Sequence, residues 1–122
     1  MQFINDHFQV TTIKIIPCLW GMGQMMFTKY IIVVDADVDV HNTSLVLFHL
    51  CACTDPQRDS IFTKGPADVL DHATTEIAVG TKLGIDATKK LPAEGHRRTW
   101  PPLIKMDEST KLKIDDYLNK RK

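Results

Sequence analysis

Three aspartates alternate along Asp35-Ala36-Asp37-Val38-Asp39, with His41 two residues further on. Crowded carboxylates push one another's pKa values apart, which is how acid–base pairs are built. With His41 they also form a donor set for a hard divalent cation. A calcium loop starting at Asp35 needs Gly at its sixth position and Glu at its twelfth, and those positions hold Val40 and Val46. The plainer reading is a polar loop leading into a helix N-terminus, where carboxylates are favoured. Lys29 stands just before an apolar run; a lysine there either snorkels or offers a point charge to a phosphate. Lys82, Asp86, Lys89 and Lys90 cluster around Gly84 and read as a solvated face. Gly21-x-Gly23 precedes the apolar run instead of following a strand, so it reads as helix packing and not as a dinucleotide fingerprint. His7, His41, His49, His72 and His96 form neither an HxH nor an HExxH spacing. No GxSxG, phosphate-loop glycine motif or Cys–His nucleophile arrangement is present, so no residue is assigned a catalytic or metal-binding role on these grounds.

The elements that must carry these residues are legible in part. Tyr30-Ile31-Ile32-Val33-Val34 is a continuous β-branched run, the pattern of an inner strand covered on both faces. It delivers Lys29 at its start and the aspartates at its carboxyl end, where open α/β sheets bind ligands. Asn42, Thr43 or Ser44 caps a helix running to about Cys53, with Leu45, Val46, Phe48, Leu50 and Cys51 as its apolar face. Ser60–Lys64 and Thr81–Ala87 read as further strands, Gly65-Pro66 as a turn, Asp68–Ala78 as a loop and Lys89–Pro102 as irregular chain. Before the first strand, Phe8, Ile13, Ile16, Leu19, Trp20, Met22, Met26 and Phe27 have roughly helical spacing, giving a helix over about 16–27 that begins or kinks at Pro17. Residues 1–15 fit no element and form a lead-in. Asp107 or Ser109 caps a terminal helix with Leu112, Ile114, Tyr117 and Leu118 as its stripe, and Lys120, Arg121 and Lys122 at the negative end of its dipole. Strand, helix, strand points to a parallel, right-handed βαβ unit. The expected class is α/β, a layered domain with a mixed, largely parallel sheet and a C-terminal helix.

The chain has 122 residues, 43% hydrophobic and 25% charged, enough for one domain with a real core. Fifteen basic and fifteen acidic residues cancel. A neutral chain argues against a nucleic-acid binder working by counterion release and against a polybasic membrane binder. No apolar run reaches the ~18 residues of a transmembrane helix, and the first residues lack the pattern of a signal peptide. Cys18, Cys51 and Cys53 lie in apolar stretches and read as buried reduced thiols, which suits a cytoplasmic protein.

Phe27-Thr28-Lys29 through Val40-His41-Asn42 resembles the UbiD family of decarboxylases, typified by 3-octaprenyl-4-hydroxybenzoate carboxy-lyase. Three further blocks agree in order: Asp55-Pro56-Gln57-Arg58-Asp59, Gly80 through Lys90, and Leu91-Pro92 through Trp100-Pro101. Trp20 through Met26 is similar to the helix before the strand in the menaquinone-biosynthesis branch. The blocks span about 17–106 and resemble the carboxyl-terminal third of such enzymes, making 16–122 a single domain of that type. Leu45 stands where the family usually has Glu, and Ala93 where Pro-Gly-Glu-Gly is usual.

The resemblance implies a lyase of quinone biosynthesis that decarboxylates aromatic or unsaturated acids non-oxidatively with prenylated FMN and a divalent metal, Mn. It implies a homo-oligomer. It also places the family's catalytic Arg, paired acids and metal ligands in a preceding flavin-binding domain, whose motifs no stretch here matches. On this reading the chain is inactive alone, binds no cofactor or metal by itself, lines the flavin and substrate cleft and supports oligomerisation. Lys29 matches a family lysine that approaches the flavin phosphate, and Val69 and Leu70 fall in the loop on the substrate side. The competing expectation is a stand-alone structural domain that oligomerises through its apolar helices. A third is a small metal domain built on Asp35, Asp37 and His41.

Overall fold

The computed structural model describes residues 2–6 and 9–120. Met1, His7, Phe8, Arg121 and Lys122 lie outside them, so the expectations placed on those residues have no structural counterpart. The elements run β1 (Gln2–Asp6), α1 (Gln9–Trp20), a 3-10 helix (Gly23–Phe27), β2 (Tyr30–Asp35), α2 (Thr43–Cys53), the single turn α3 (Pro56–Asp59), β3 (Ser60–Pro66), β4 (Val79–Asp86), a 3-10 turn (Pro92–Glu94) and α4 (Glu108–Asn119).

The sheet order is β1-β2-β4-β3. β1, β2 and β4 are parallel, and β3 pairs antiparallel with β4. The sheet is therefore mixed and largely parallel, with a C-terminal helix, as expected. The βαβ unit closes differently from the sequence reading. β3 follows α2 but lies antiparallel at the edge, and β4 takes the place beside β2. The edge position explains why β3 can end on Pro66, which has no amide to give to a further strand. Gly65 and Pro66, read as a turn, are the last two residues of this strand. The lead-in also has structure: β1 pairs with β2, Gln2 opposite Ile31 through Asp6 opposite Asp35. α1 begins at Gln9 and holds Pro17 inside it. The segment read as one helix over 16–27 is the end of α1 and a separate 3-10 helix.

β2 has helices on both sides, which is why it is apolar without alternation. Ile32 and Val34 pack with Val38, Val46 and Ala87 on the α2 side. Ile31 and Val33 pack with Ile16 of α1 on the other. Gly84 lets α1 approach: a Cβ there would fall 2.4 Å from the Ile16 Cγ2. α2 is apolar all round, so sequence alone does not pick its inner face. The structure buries Val46, His49 and Cys53, while Phe48 and Cys51, expected on that face, are exposed. Asn42 is the cap, its side chain accepting from the Leu45 amide at 3.1 Å.

Candidate functional site

Lys29 is positioned by the turn that feeds β2. The Trp20 indole donates to the Thr28 carbonyl at 3.0 Å, and the Lys29 carbonyl accepts from the Leu83 amide at 3.0 Å. Its backbone is thus fixed on both sides, while the side chain stays about one-third exposed and its Nζ lies 2.6 Å from Asp71 Oδ2. Lys29 holds the Asp71 carboxyl below the usual carboxylate range, helped by the Ala73 amide. An ammonium carries three donors, so one ion pair leaves Lys29 capacity for a further oxyanion.

Asp71 belongs to the loop between β3 and β4. That loop folds on itself: the Asp68 carboxylate accepts from the Leu70 amide at 2.8 Å, and the Asp71 amide donates to the Asp68 carbonyl at 2.9 Å. The arrangement turns Val69 and Leu70 outward, 66% and 76% exposed. Lys29, Tyr30, Lys64, Thr74, Glu76 and Gly80 line a cleft of 460 Å³ beside this loop. The structure thus brings Lys29 to the loop of Val69 and Leu70 through the Lys29–Asp71 pair.

The charged stretch read as a solvated face is mostly buried. Lys82, Asp86 and Lys90 are 3%, 6% and 2% exposed. Gly80, Lys82, Gly84 and Asp86 alternate along β4 and share its inner face, a period of two that was present in the sequence. Lys90 Nζ lies 3.1 Å from Asp86 Oδ2, 3.6 Å from Asp59 Oδ1 and 3.0 Å from the Asp86 carbonyl. Asp59 also takes two bonds of 2.7 Å from the Arg58 guanidinium and one of 2.7 Å from the Asp55 amide. Burial pushes the Asp59 carboxyl up, but these donors outweigh it and hold the group below its ordinary range. Buried charges persist only when paired in this way. Lys82 is the exception: its Nζ is buried without a hydrogen-bond partner among the described residues, and burial pushes its pKa down.

The acidic loop acts as a clamp. Asp35 Oδ2 accepts from the Lys89 amide at 2.9 Å and Asp37 lies 3.5 Å from Lys89 Nζ, tying the segment after β4 to the end of β2. Burial raises the Asp35 pKa, opposed by the Lys89 contacts. Asp39 accepts from the His41 amide at 2.9 Å. Among the described residues no three His, Cys, Asp or Glu side chains gather in a metal-binding arrangement, so Asp35, Asp37 and His41 do not converge. The cysteines depart from expectation: Cys18 and Cys51 are exposed, and Cys53 is buried, its thiol pKa raised by burial and by nearby Asp35. A larger hollow of 800 Å³ lies between α1, α3 and the 94–98 segment, with Thr12, Ile16, Arg58, Asp59, Arg97 and Arg98 in its lining. Among the described residues no helix is long and apolar enough to cross a membrane.

A mixed, helix-flanked sheet with a buried charged latch and an open cleft beside Lys29 defines an α/β domain. The model of the 3-octaprenyl-4-hydroxybenzoate carboxy-lyase C-terminal domain matches residues 6–87, and the chain belongs to that family. It is 44% identical over 113 residues to an uncharacterized protein of Aquifex aeolicus, covering 93% of this chain and 23% of that protein. It is 42% identical over 107 residues to one of Archaeoglobus fulgidus, covering 87% of this chain and 22% of that protein. Among solved structures it is similar to the vanillic acid decarboxylase of Sedimentibacter hydroxybenzoicus in closed form, with TM-score 0.77 and 27% identity. That match covers 94% of this chain and 26% of the other. The UbiD-class enzyme HmfF of Pelotomaculum thermopropionicum, in complex with FMN, shares the fold at TM-score 0.67 and 24% identity, over 94% of this chain and 25% of that one. The chain thus spans about a quarter of the proteins it matches.

Proposed function

We propose that this chain is the carboxyl-terminal wall of the flavin and substrate cleft in a non-oxidative decarboxylase of aromatic acids, of the ubiquinone or menaquinone type. The observation that carries this reading is Lys29, fixed at the start of β2, paired with the loop of Val69 and Leu70 and opening on a cleft. Prenylated FMN supplies the electron sink for decarboxylation when bound, with Mn as its divalent partner. Lys29, which lines the cleft and retains donors beyond its pair with Asp71, fits its phosphate end. The residues present do not fit the metal, for which the described residues offer no cluster. The flavin ring, the metal and the acid–base groups are assigned to an upstream domain of the same cytoplasmic enzyme.

In this role Val69 and Leu70 exclude water on the substrate side and Lys29 orients the phosphate. Exposed Leu47 and Phe48 on α2 suit a surface that other segments cover. Leu112, Ile114, Tyr117 and Leu118, exposed on α4, suit contact with a second copy of the chain. Carbon dioxide release from an aromatic acid, measured for the full-length protein and for residues 1–122 under the same prenylated-FMN and Mn²⁺ loading, tests the reading. The full-length protein turns over and the 122-residue chain does not; turnover by the short chain alone contradicts the assignment.

A further inference from the structure

The 800 Å³ hollow has no part in the cleft reading, and it shares no lining residue with the cleft beside Lys29. Val33 is opposite Asp86 on parallel strands, and Asp86 stands in the wall of the hollow. From Lys29 to the level of Val33 is four steps along β2, about 13 Å. The cleft therefore lies at the amino end of the parallel strands and the hollow at their carboxyl end. The carboxyl end is where open α/β sheets take their ligands.

Its wall is apolar where Ile16 and Ile61 meet it. Thr12, one turn before Ile16 on α1, also lines it. Thr12 is fully buried, and its hydroxyl has no hydrogen-bond partner among the described residues. Buried hydroxyls are normally paired, and one left unpaired is costly. Most of the charge around the hollow is satisfied internally. Arg58 and Lys90 pair with Asp59 and Asp86, and Asp55 stands beside Arg58. Glu94 Oε2 accepts from the Leu91 amide at 2.6 Å. Arg97 and Arg98 differ. Both are exposed, and among the described residues neither guanidinium has a hydrogen-bond or ion-pair partner.

These arginines ride on a strap with pinned ends. The Trp100 indole donates to the Lys90 carbonyl at 2.8 Å, closing residues 90–100 into a compact loop, and the ring stacks on His96 at 5.2 Å. Inside the strap the 3-10 turn Pro92–Glu94 ends at Gly95, whose φ of 82° favours glycine. Residues 96–98 beyond it border the hollow.

We propose that the hollow binds a small organic acid, with its carboxylate on Arg97 and Arg98, its apolar body on Ile16 and Ile61, and a polar substituent on the Thr12 hydroxyl. A guanidinium matches a carboxylate with two parallel bonds. The volume lies in the range of small-molecule sites. Inorganic phosphate would satisfy the arginines but leave the apolar wall and the hydroxyl unmet. The site uses no residue of the cleft, so it stands or falls apart from the cleft reading.

Titration calorimetry on the full-length protein tests it, with p-hydroxyphenylpropionate, phenylpropionate, phenylpropanol and inorganic phosphate as probes. The hydroxy acid binds most tightly, phenylpropionate next, and phenylpropanol and phosphate more weakly than either acid. Arg97→Gln with Arg98→Gln weakens both acids about tenfold or more, the range of a charge-assisted hydrogen bond. Lysines at both positions recover only part, because an ammonium lacks the planar fork. Thr12→Val removes the preference for the hydroxy acid and leaves the ligand-free melting temperature no lower, since the hydroxyl has no partner to lose. Acid binding that is absent from wild type, or unchanged in the double glutamine variant, overturns the site and leaves the cleft reading intact. Phenylpropanol or phosphate binding as tightly as phenylpropionate overturns the assignment of an apolar acid. A lower melting temperature in Thr12→Val overturns the part given to that hydroxyl.

Discussion

Lys90 Nζ sits 3.1 Å from the carboxylate of Asp86, four residues earlier, with both side chains nearly inaccessible to water. This pair converts the end of β4 into a latch. The chain bends there, and Thr88 bonds Asp86 through its amide at 3.0 Å and its hydroxyl at 2.6 Å. The Trp100 indole then reaches back to the Lys90 carbonyl at 2.8 Å, bringing the irregular 91–100 segment under the same control. Lys90→Met leaves Asp59 and Asp86 buried without their shared cation. The expected cost is about 3–5 kcal/mol in urea unfolding.

Gly84 and Ile16 are coupled by contact. A Cβ at position 84 would meet Ile16 Cγ2 at 2.4 Å, and Ile16 is fully buried. Gly84→Ala overpacks this contact and costs about 1–3 kcal/mol. Ile16→Ala alone opens a cavity and costs about 2–5 kcal/mol. In the double variant the new methyl enters the space Ile16 left, so Gly84→Ala costs less there than alone. A double-mutant cycle by chemical denaturation reads this coupling directly.

The acid limb of stability is set by depressed carboxylates. Asp107 caps α4, and its pKa is lowered to about 2, first by the Ser109 hydroxyl and then by the Thr110 amide and hydroxyl. A carboxylate whose folded pKa lies below its unfolded value of about 3.9 contributes stability above that value and loses it as pH falls through the folded pKa. The α4 cap is therefore complete above pH 4 and lost progressively toward about 2. Carboxyl chemical shifts followed by NMR give that midpoint; Asp107→Asn removes the titration while its side-chain oxygen can still cap, as Asn42 does on α2, and Asp107→Ala frays the first turn of α4. Asp59, also depressed, acts with the same sign on the latch.

The inner strand, the α2 segment, the terminal helix and the mixed sheet were readable from residue pattern, because each is a local regularity: the β-branched run 30–34, the Asn42 cap, the Asp107 cap. The family blocks were also readable, because they are words of sequence. The strand order was not, since the placement of β4 between β2 and β3 depends on pairings distant in sequence. β1 was missed because Gln2–Asp6 mixes polar and apolar residues without alternation and becomes a strand only against β2. Lys82, Asp86 and Lys90 look like surface residues by type, and only packing between elements distant in sequence buries them. The period-two set of Gly80, Lys82, Gly84 and Asp86 was the available signal. Cys18 and Cys51 show the converse, apolar neighbours in sequence and solvent in space.

The central claim is that Lys29 and its loop hold a cofactor while the reacting groups lie elsewhere. Decarboxylation by the full-length protein, measured against prenylated-FMN concentration for wild type and Lys29→Met, tests it most directly. The account predicts a cofactor requirement raised about tenfold or more, the loss expected for one charged contact, with the saturated rate within a few-fold of wild type. A saturated rate that collapses while cofactor affinity is unchanged contradicts it, because the chemistry would then depend on a residue of this wall.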